Sequence, residues 1–158
     1  MASTVAAGSA VMRPEDDPGW ASYAETVLAF HLPGLPRVDL ARPIGAAALA
    51  TFRRAGLPGT FGLLTPENPR GRTVSIAEND ARWARFLGGA GRDAVRVDGW
   101  DPAGTRCERG VALPWPRAEV VALAVAWEQS AIYWYDGAEV WVIGALTQSV
   151  PWPLGRAR

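Results

Sequence analysis

The stretch that most restricts how this chain can fold is residues 61–87, FGLLTPENPRGRTVSIAENDARWARFL. It opens on a short apolar run, 61–65, with the length and character of a central, buried strand. A polar turn containing Pro66 and Pro69 follows. Ser75-Ile76-Ala77-Glu78 then has the spacing of a capping box. The Ser75 hydroxyl can accept from the Glu78 amide while the Glu78 carboxylate accepts from the Ser75 amide. At about 100° per residue, Ile76, Trp83, Phe86 and Leu87 fall on one side of the helix, and Glu78, Arg82 and Arg85 on the other. Asn79 projects into the apolar arc and Asp80 lies near Leu87, so two polar groups point inward at the helix start, beside the turn.

The rest of the chain arranges itself around this unit. Residues 25–32 alternate, with Leu28, Phe30 and Leu32 on one face and Val27, Ala29 and His31 on the other, as a strand does. Pro33-Gly34-Leu35-Pro36 is a turn and 37–40 alternates again, so a hairpin is expected. Pro43 suits the first turn of a helix carrying Ile44, Ala48, Phe52 and Ala55 at helical spacing, with Gly56 at its C-terminal cap. Beyond the capped helix, 94–97 predicts a strand, 98–106 a loop and 108–113 a strand. Pro116 opens a third helix with Val120, Leu123, Ala124 and Trp127 on its apolar side. Residues 131–143 predict a hairpin turning at Asp136-Gly137 in a type I′ turn. Tyr133, Tyr135, Val140 and Val142 would share one face, and Ile132, Trp134 and Trp141 the other. Both faces are apolar and both need cover, from helices and from the tail at Trp152 or a partner chain. The element order predicts an α+β fold: a two-layer sandwich of the split β-α-β-β-α-β kind, preceded by a hairpin and helix and ending in an extra C-terminal strand. A three-layer α/β sheet is the rival. Residues 1–18 are expected to form a disordered leader, 19–146 a single domain and 147–158 a tail.

Composition removes several functions. At 158 residues, 49% hydrophobic and 20% charged, the chain has enough apolar content for a core, which excludes wholesale disorder. Its formal net charge of zero argues against bulk electrostatic binding to nucleic acid or anionic membrane. There is no lysine, so neither a Schiff-base nor a P-loop lysine exists. A single cysteine, Cys107, allows no intrachain disulfide and no cysteine zinc cluster, which fits a cytoplasmic protein. The N-terminal residues lack the basic and long apolar regions of a signal peptide, and no apolar run approaches the ~20 residues of a membrane span. Gly88, Gly89 and Gly91 follow a helix and make no dinucleotide fingerprint. No cofactor or metal site is implied.

The run Thr65, Asn68, Pro69 followed by Ser75, Glu78, Asn79 resembles the bacterial domain-of-unknown-function family 3293. That family carries a strand ending T-A-W-N-P, then S-x-x-E-N opening a helix, and a Gly-Gln before a late strand. Gln129, before Ala131 and Ile132, stands where that glutamine would. The resemblance covers roughly residues 23–143. It departs at Pro66-Glu67 in place of Ala-Trp, at Glu128 in place of glycine, and at Gly110, where an acidic-x-Ser pattern beginning at Glu108 would have serine. It implies a fold and a site, and no activity.

Two readings of 65–79 stand side by side. In one, the helix N-terminus with Arg70 and Arg72 holds a small polar or anionic ligand, oriented by Thr65, Asn68 and Asn79, with Gln129 nearby. In the other, Asn68 and Asn79 simply brace the turn through backbone groups. Catalysis by Glu67, Glu78 and Asp80 has less support, because capping explains Glu78 and an exposed turn would explain Glu67. His31 has no G-x-S-x-G elbow to serve, and Cys107 has no placed base. A different class of function is dimerisation or partner binding through the aromatic hairpin, with Trp134, Trp141 and Trp152 at the interface. The hairpin lacks the interleaved basic residues that nucleic acid requires.

Overall fold

The computed structural model describes residues 11–91 and 93–154. Its strands are β1 (Val27–Phe30), β2 (Val38–Asp39), β3 (Phe61–Leu64), β4 (Val95–Trp100), β5 (Cys107–Leu113), β6 (Ala131–Tyr135), β7 (Val140–Gly144) and β8 (Trp152–Pro153). The helices are α1 (Ala46–Arg54), α2 (Ile76–Leu87) and α3 (Arg117–Ala126), with three short 3-10 turns besides. The strands make one sheet in the order β2-β1-β4-β5-β3-β6-β7-β8. Every neighbouring pair is antiparallel. The protein is therefore a mixed α and β fold on an eight-stranded antiparallel sheet. Within it, β4-β5-β3-β6 is the order left when α2 and α3 each carry the chain over one intervening strand.

The period of two along each strand divides the apolar residues between two cores. On one face Phe61, Leu63, Ala112 and Tyr135 pack with Leu28 and Phe30 beneath Phe52 of α1. The rings of Phe30 and Phe52 lie 4.6 Å apart and those of Phe52 and Phe61 5.5 Å apart. On the other face Leu64, Val111, Leu113, Ile132 and Trp134 meet Trp83 and Phe86 of α2 and Val120 and Ala124 of α3. Gly62 lets α3 come close, since a Cβ there would stand 2.6 Å from Val120 Cγ1. Helices thus cover both faces, because α1 supplies the cover that a two-layer arrangement would leave to solvent.

Several boundaries differ from expectation, each for a physical reason. Residues 1–10 and 155–158 lie outside the described residues. Residues 11–18, expected to precede the domain, pack on it. Met12 is buried and exchanges backbone hydrogen bonds with Leu146 and Gln148, and Asp17 is buried. The tail is part of the sheet too: β8 pairs Trp152 with Val142, and Leu154 is buried. Strand β4 runs on through Asp98 and Trp100, because β1 and β5 pair with it on both sides. Helix α1 starts only at Ala46, after Gly45, leaving Pro43 and Ile44 before it. The late hairpin keeps the expected faces, with Tyr133 opposite Val142 and Trp134 opposite Trp141. Its turn centres one residue later, on Gly137-Ala138, which shifts the pairing register by two, because the Asp136 carboxylate accepts the Ala138 and Glu139 amides. Helix α2 also rolls relative to its sequence projection. Trp83 and Phe86 are buried as expected, but Ile76 is 82% exposed and Leu87 40% exposed. Arg82, projected toward solvent, has a side chain only 11% exposed.

Candidate functional site

The site is assembled where β3 stops. Thr65 turns its hydroxyl onto the Arg109 carbonyl and accepts from the Glu67 amide at 3.0 Å, an ST-turn that reverses the chain. The close approach of β5 at this point depends on Gly110. A Cβ there would stand 2.6 Å from the Leu64 carbonyl oxygen, so the serine of the resembled pattern has no room. Asn68 then takes a left-handed conformation, φ 50°. Its amide donates to Asn79 Oδ1 at 3.0 Å, and its Oδ1 accepts from Asn79 Nδ2 at 3.0 Å and from the Val74 amide at 3.2 Å. Its Nδ2 donates to Glu108 Oε1 at 2.7 Å. One side chain thereby ties the turn, α2 and β5 together. The Ser75 cap is present, accepting the Glu78 amide at 3.1 Å.

Around this knot lies a layer of arginine–carboxylate contacts. Glu67 is 4% exposed, not the exposed turn residue expected. Its carboxylate accepts the Arg109 backbone amide at 3.0 Å and the Arg109 Nε, and Arg109 Nη2 donates to Asp80 at 2.8 Å. Arg82 donates to the carbonyls of Pro66 and Trp127, each at 2.6 Å, and so clamps the end of β3 to the end of α3. Gln129 is buried, with Nε2 donating to the Glu67 carbonyl at 3.0 Å and the Trp127 carbonyl at 3.2 Å. Glu128 has φ 58° and Arg70 φ 57°, and the Arg70 amide donates to the Glu128 carbonyl at 2.7 Å. Among the described residues, the three non-glycine residues with positive φ are Asn68, Arg70 and Glu128, all in this one network. Such conformations are disfavoured by about 1–3 kcal/mol each and persist only where surrounding bonds enforce them.

The N-terminal segment closes the other side. Asp17 accepts the Gly19 amide at 2.8 Å and the Tyr23 hydroxyl at 3.1 Å, and its carboxylate lies against Gly71, where any Cβ would collide with it. Tyr133 donates within reach of the Tyr23 carbonyl and Thr26 hydroxyl, both at 2.7 Å. Burial pushes the Glu108 carboxyl above its ordinary range. The Asn68 hydrogen bond opposes this, and the charges of Glu67 and Asp17 add to it. Between the ordinary carboxylate pKa and this raised value the folded protein holds a proton that the unfolded chain has lost. The stabilising contribution is therefore complete below the ordinary pKa and is lost as pH rises through the folded one. Glu108→Gln, which keeps an acceptor for Asn68, is expected to flatten that decline and to leave the variant more stable than the parent at pH 7. Urea midpoints from pH 5 to pH 8 would check it, and parallel curves for the two proteins would refute the assignment.

The structure brings together five of the six residues singled out from the sequence: Thr65, Asn68, Arg70, Asn79 and Gln129. Arg70 is shared with Glu128, 3.6 Å away, rather than free for an anion. Arg72 stands apart, exposed on the rim. Four participants were not assigned their place from the sequence: Glu67, Arg82, Glu108 and Arg109. Residues 108–113 read as a strand from the sequence, but nothing local showed that it lies beside the end of β3. Thr65, Asn68, Asn79, Glu108 and Gln129 lie in this network, while Glu78 is exposed and contributes only its backbone amide to the Ser75 cap. Elsewhere, His31 Nε2 sits 2.9 Å from Asp98. Cys107 is exposed, yet burial of its thiol and the charge of Asp98 hold the thiol above its ordinary range, the reverse of an activated nucleophile. Trp134 is buried under α3, while Trp141 and Trp152 are half-buried, the latter within β8. Among the described residues no helix is long and apolar enough to cross a membrane, and no group of three or more His, Cys, Asp or Glu is placed to hold a metal ion.

The chain matches no family model, no curated protein and no solved structure.

Proposed function

We propose that the protein is a small-ligand-binding domain whose site is the junction 65–79, taking a polar or anionic ligand at its outer rim. The observation that carries this reading is the confinement of three left-handed, non-glycine residues to one hydrogen-bonded network. Strain of this kind gathers where geometry matters more than stability. The amide groups of Asn68 and Asn79 are consumed by each other, by backbone and by the Glu108 carboxylate, so they position the site rather than touch the ligand. Ligand contact then falls to Arg72, to Arg70 once it leaves Glu128, and to the first amides of α2. The antiparallel order β4-β5-β3-β6 with α2 and α3 on one face supports a split-βαβ sandwich as the frame, to which β1, β2, α1, β7 and β8 are added.

A thermal-shift screen against phosphate, nucleotides, sugar phosphates and small carboxylates tests this. At a hundredfold excess over its dissociation constant a ligand stabilises the fold by about 2.7 kcal/mol. The expected result is a concentration-dependent rise for one anion class that Arg72→Ala abolishes. A rise that survives in Arg72→Ala, or no rise with any anion, would remove the reading. The rival, a homodimer formed through the hairpin 131–143, rests on Trp141 and Trp152 alone, since both hairpin faces contribute to the two cores. Light scattering that shows a monomer at high concentration would dispose of it.

A further inference from the structure

We propose that residues 11–25 form a strap that is latched shut on the domain in acid and opens as pH rises. Of these residues only Met12 and Asp17 are buried, and none lies in an α-helix or a strand of the sheet. The strap is fastened at three points. Met12 exchanges backbone hydrogen bonds with Leu146 and Gln148. The Asp17 carboxylate is seated on Gly71, where a Cβ would stand 2.2 Å from its Oδ1. The Tyr23 ring meets the Tyr133 ring at 5.7 Å, and the Tyr133 hydroxyl donates within reach of the Tyr23 carbonyl at 2.7 Å.

The middle fastening is the latch. Both donors to Asp17 belong to the strap itself: the Gly19 amide at 2.8 Å and the Tyr23 hydroxyl at 3.1 Å. The body of the domain faces Asp17 with charge of its own sign. Glu108 shares its face of β5 with Ala112, the face on which Tyr23 and Tyr133 pack. The charges of Asp17 and Glu67 act on the Glu108 carboxyl, and its own charge reaches the Tyr23 and Tyr133 hydroxyls. Its donor is Asn68 Nδ2, at 2.7 Å. Neither Asp17 nor Glu108 is in an ion pair among the described residues. The nearby cation, Arg109, lies over Trp83 on the opposite face and is held by Glu67 and Asp80.

A charged Glu108 beside Asp17 in a dry site is unfavourable, whereas a protonated one is not. The closed strap therefore favours the proton, and opening lets water reach the carboxyl, which then ionises at its ordinary pKa. Closure is fully supported below that ordinary value. Its hold weakens as pH rises toward the raised value of the closed form and levels off above it. Burial holds Tyr23 and Tyr133 above the ordinary tyrosine range, so both hydroxyls stay donors throughout. Opening strands few groups: Asp17 leaves with its two donors, and Tyr133 keeps the Thr26 hydroxyl at 2.7 Å. Gly71 stands between Arg70 and Arg72, so on the ligand-binding reading above the closed strap sets a carboxylate in the path of an anion. That inhibitory role rests on the binding reading, whereas the latch does not and is tested without a ligand.

The test is amide exchange of the full chain between about pH 5 and pH 8, read by mass spectrometry on peptides from 11–25 and from β6, with each rate divided by that of an unstructured chain. The expected result is strap protection below that of β6, falling by up to about tenfold per pH unit, the limit for one proton. Glu108→Gln, which keeps an acceptor for Asn68, should hold the strap shut with a protection that no longer depends on pH. Gly71→Ala, whose methyl collides with Asp17, should lower strap protection at every pH while β6 stays protected. Strap protection equal to that of β6 would mean that the segment opens only when the whole domain unfolds, and would overturn the proposal. So would strap protection that is flat with pH in the parent, or a fall with pH that persists in Glu108→Gln. If Gly71→Ala does not fold, the parent and Glu108→Gln decide the matter between them. Failure of the anion screen would leave these outcomes untouched.

Discussion

Replacing Arg109 with methionine is expected to destabilise the protein by about 3 kcal/mol, the lower end of what breaking a buried ion pair from one side does. Glu67 is 4% exposed, and Arg109 is its cation. With the guanidinium gone, the carboxylate keeps the Arg109 backbone amide at 3.0 Å but stays buried with an uncompensated charge. Asp80, more than half exposed, loses a partner that water can replace. The measurement is urea unfolding of the single variants and of Glu67→Met/Arg109→Met. The double variant should recover much of the loss, because an apolar pair of similar volume carries no stranded charge. A loss below about 1 kcal/mol in Arg109→Met would mean that the pair behaves as a surface bridge and does not hold the turn.

Arg82→Met is the second large effect, at about 2–3 kcal/mol. The Arg82 side chain is 11% exposed and donates to the Pro66 and Trp127 carbonyls at 2.6 Å each. Hydrogen bonds from a charged donor contribute about 1.5–3 kcal/mol. The Trp127 carbonyl retains Gln129 as a donor, so the full penalty falls on Pro66. Arg85→Met makes the contrast. Arg85 is exposed and lies over the same Trp127 ring at 5.0 Å without a carbonyl to satisfy, so a loss under about 1 kcal/mol is expected. Amide exchange should report the same difference locally. The Arg70 and Gln129 amides, bonded to Glu128 and Ala124, should exchange faster in Arg82→Met only. Equal, small losses in both variants would show that Arg82 is not a clamp.

These two arginines mark where reading the chain stops being sufficient. A helical projection sets Arg82 and Arg85 on one polar face, and that is sound for an isolated helix. The projection has no means of knowing that α3 ends alongside α2, where the Trp127 carbonyl awaits a donor. Ile76 shows the converse. It belongs to the apolar arc by angle, yet it sits at the first residue of α2, beyond the reach of the sheet, and is 82% exposed. Glu67 reads as a turn residue because its neighbours are prolines and asparagine. It is buried because a strand 42 residues away brings Arg109 to it.

What the amino-acid order decided by itself was local. The apolar run of β3, the Ser75 cap, the inward direction of Asn79, the third helix after Pro116 and the two faces of the late hairpin all follow from periods of about 2 and 3.6 residues and from short-range hydrogen bonding. The element sequence further implied that β3, β4, β5 and β6 would interleave with two helices. Only the tertiary structure decided which partners meet: Asn68 with Glu108, Glu67 with Arg109, Arg82 with two carbonyls, Asp17 with Gly71, and Arg37 and Arg96 with the rings of Trp100 and Trp83. Those pairings depend on which strand edges the sheet brings side by side, and that is settled by burying two separate apolar faces at once. No stretch of chain carries that information alone, because the free energy that fixes it is gained only when distant segments leave water together.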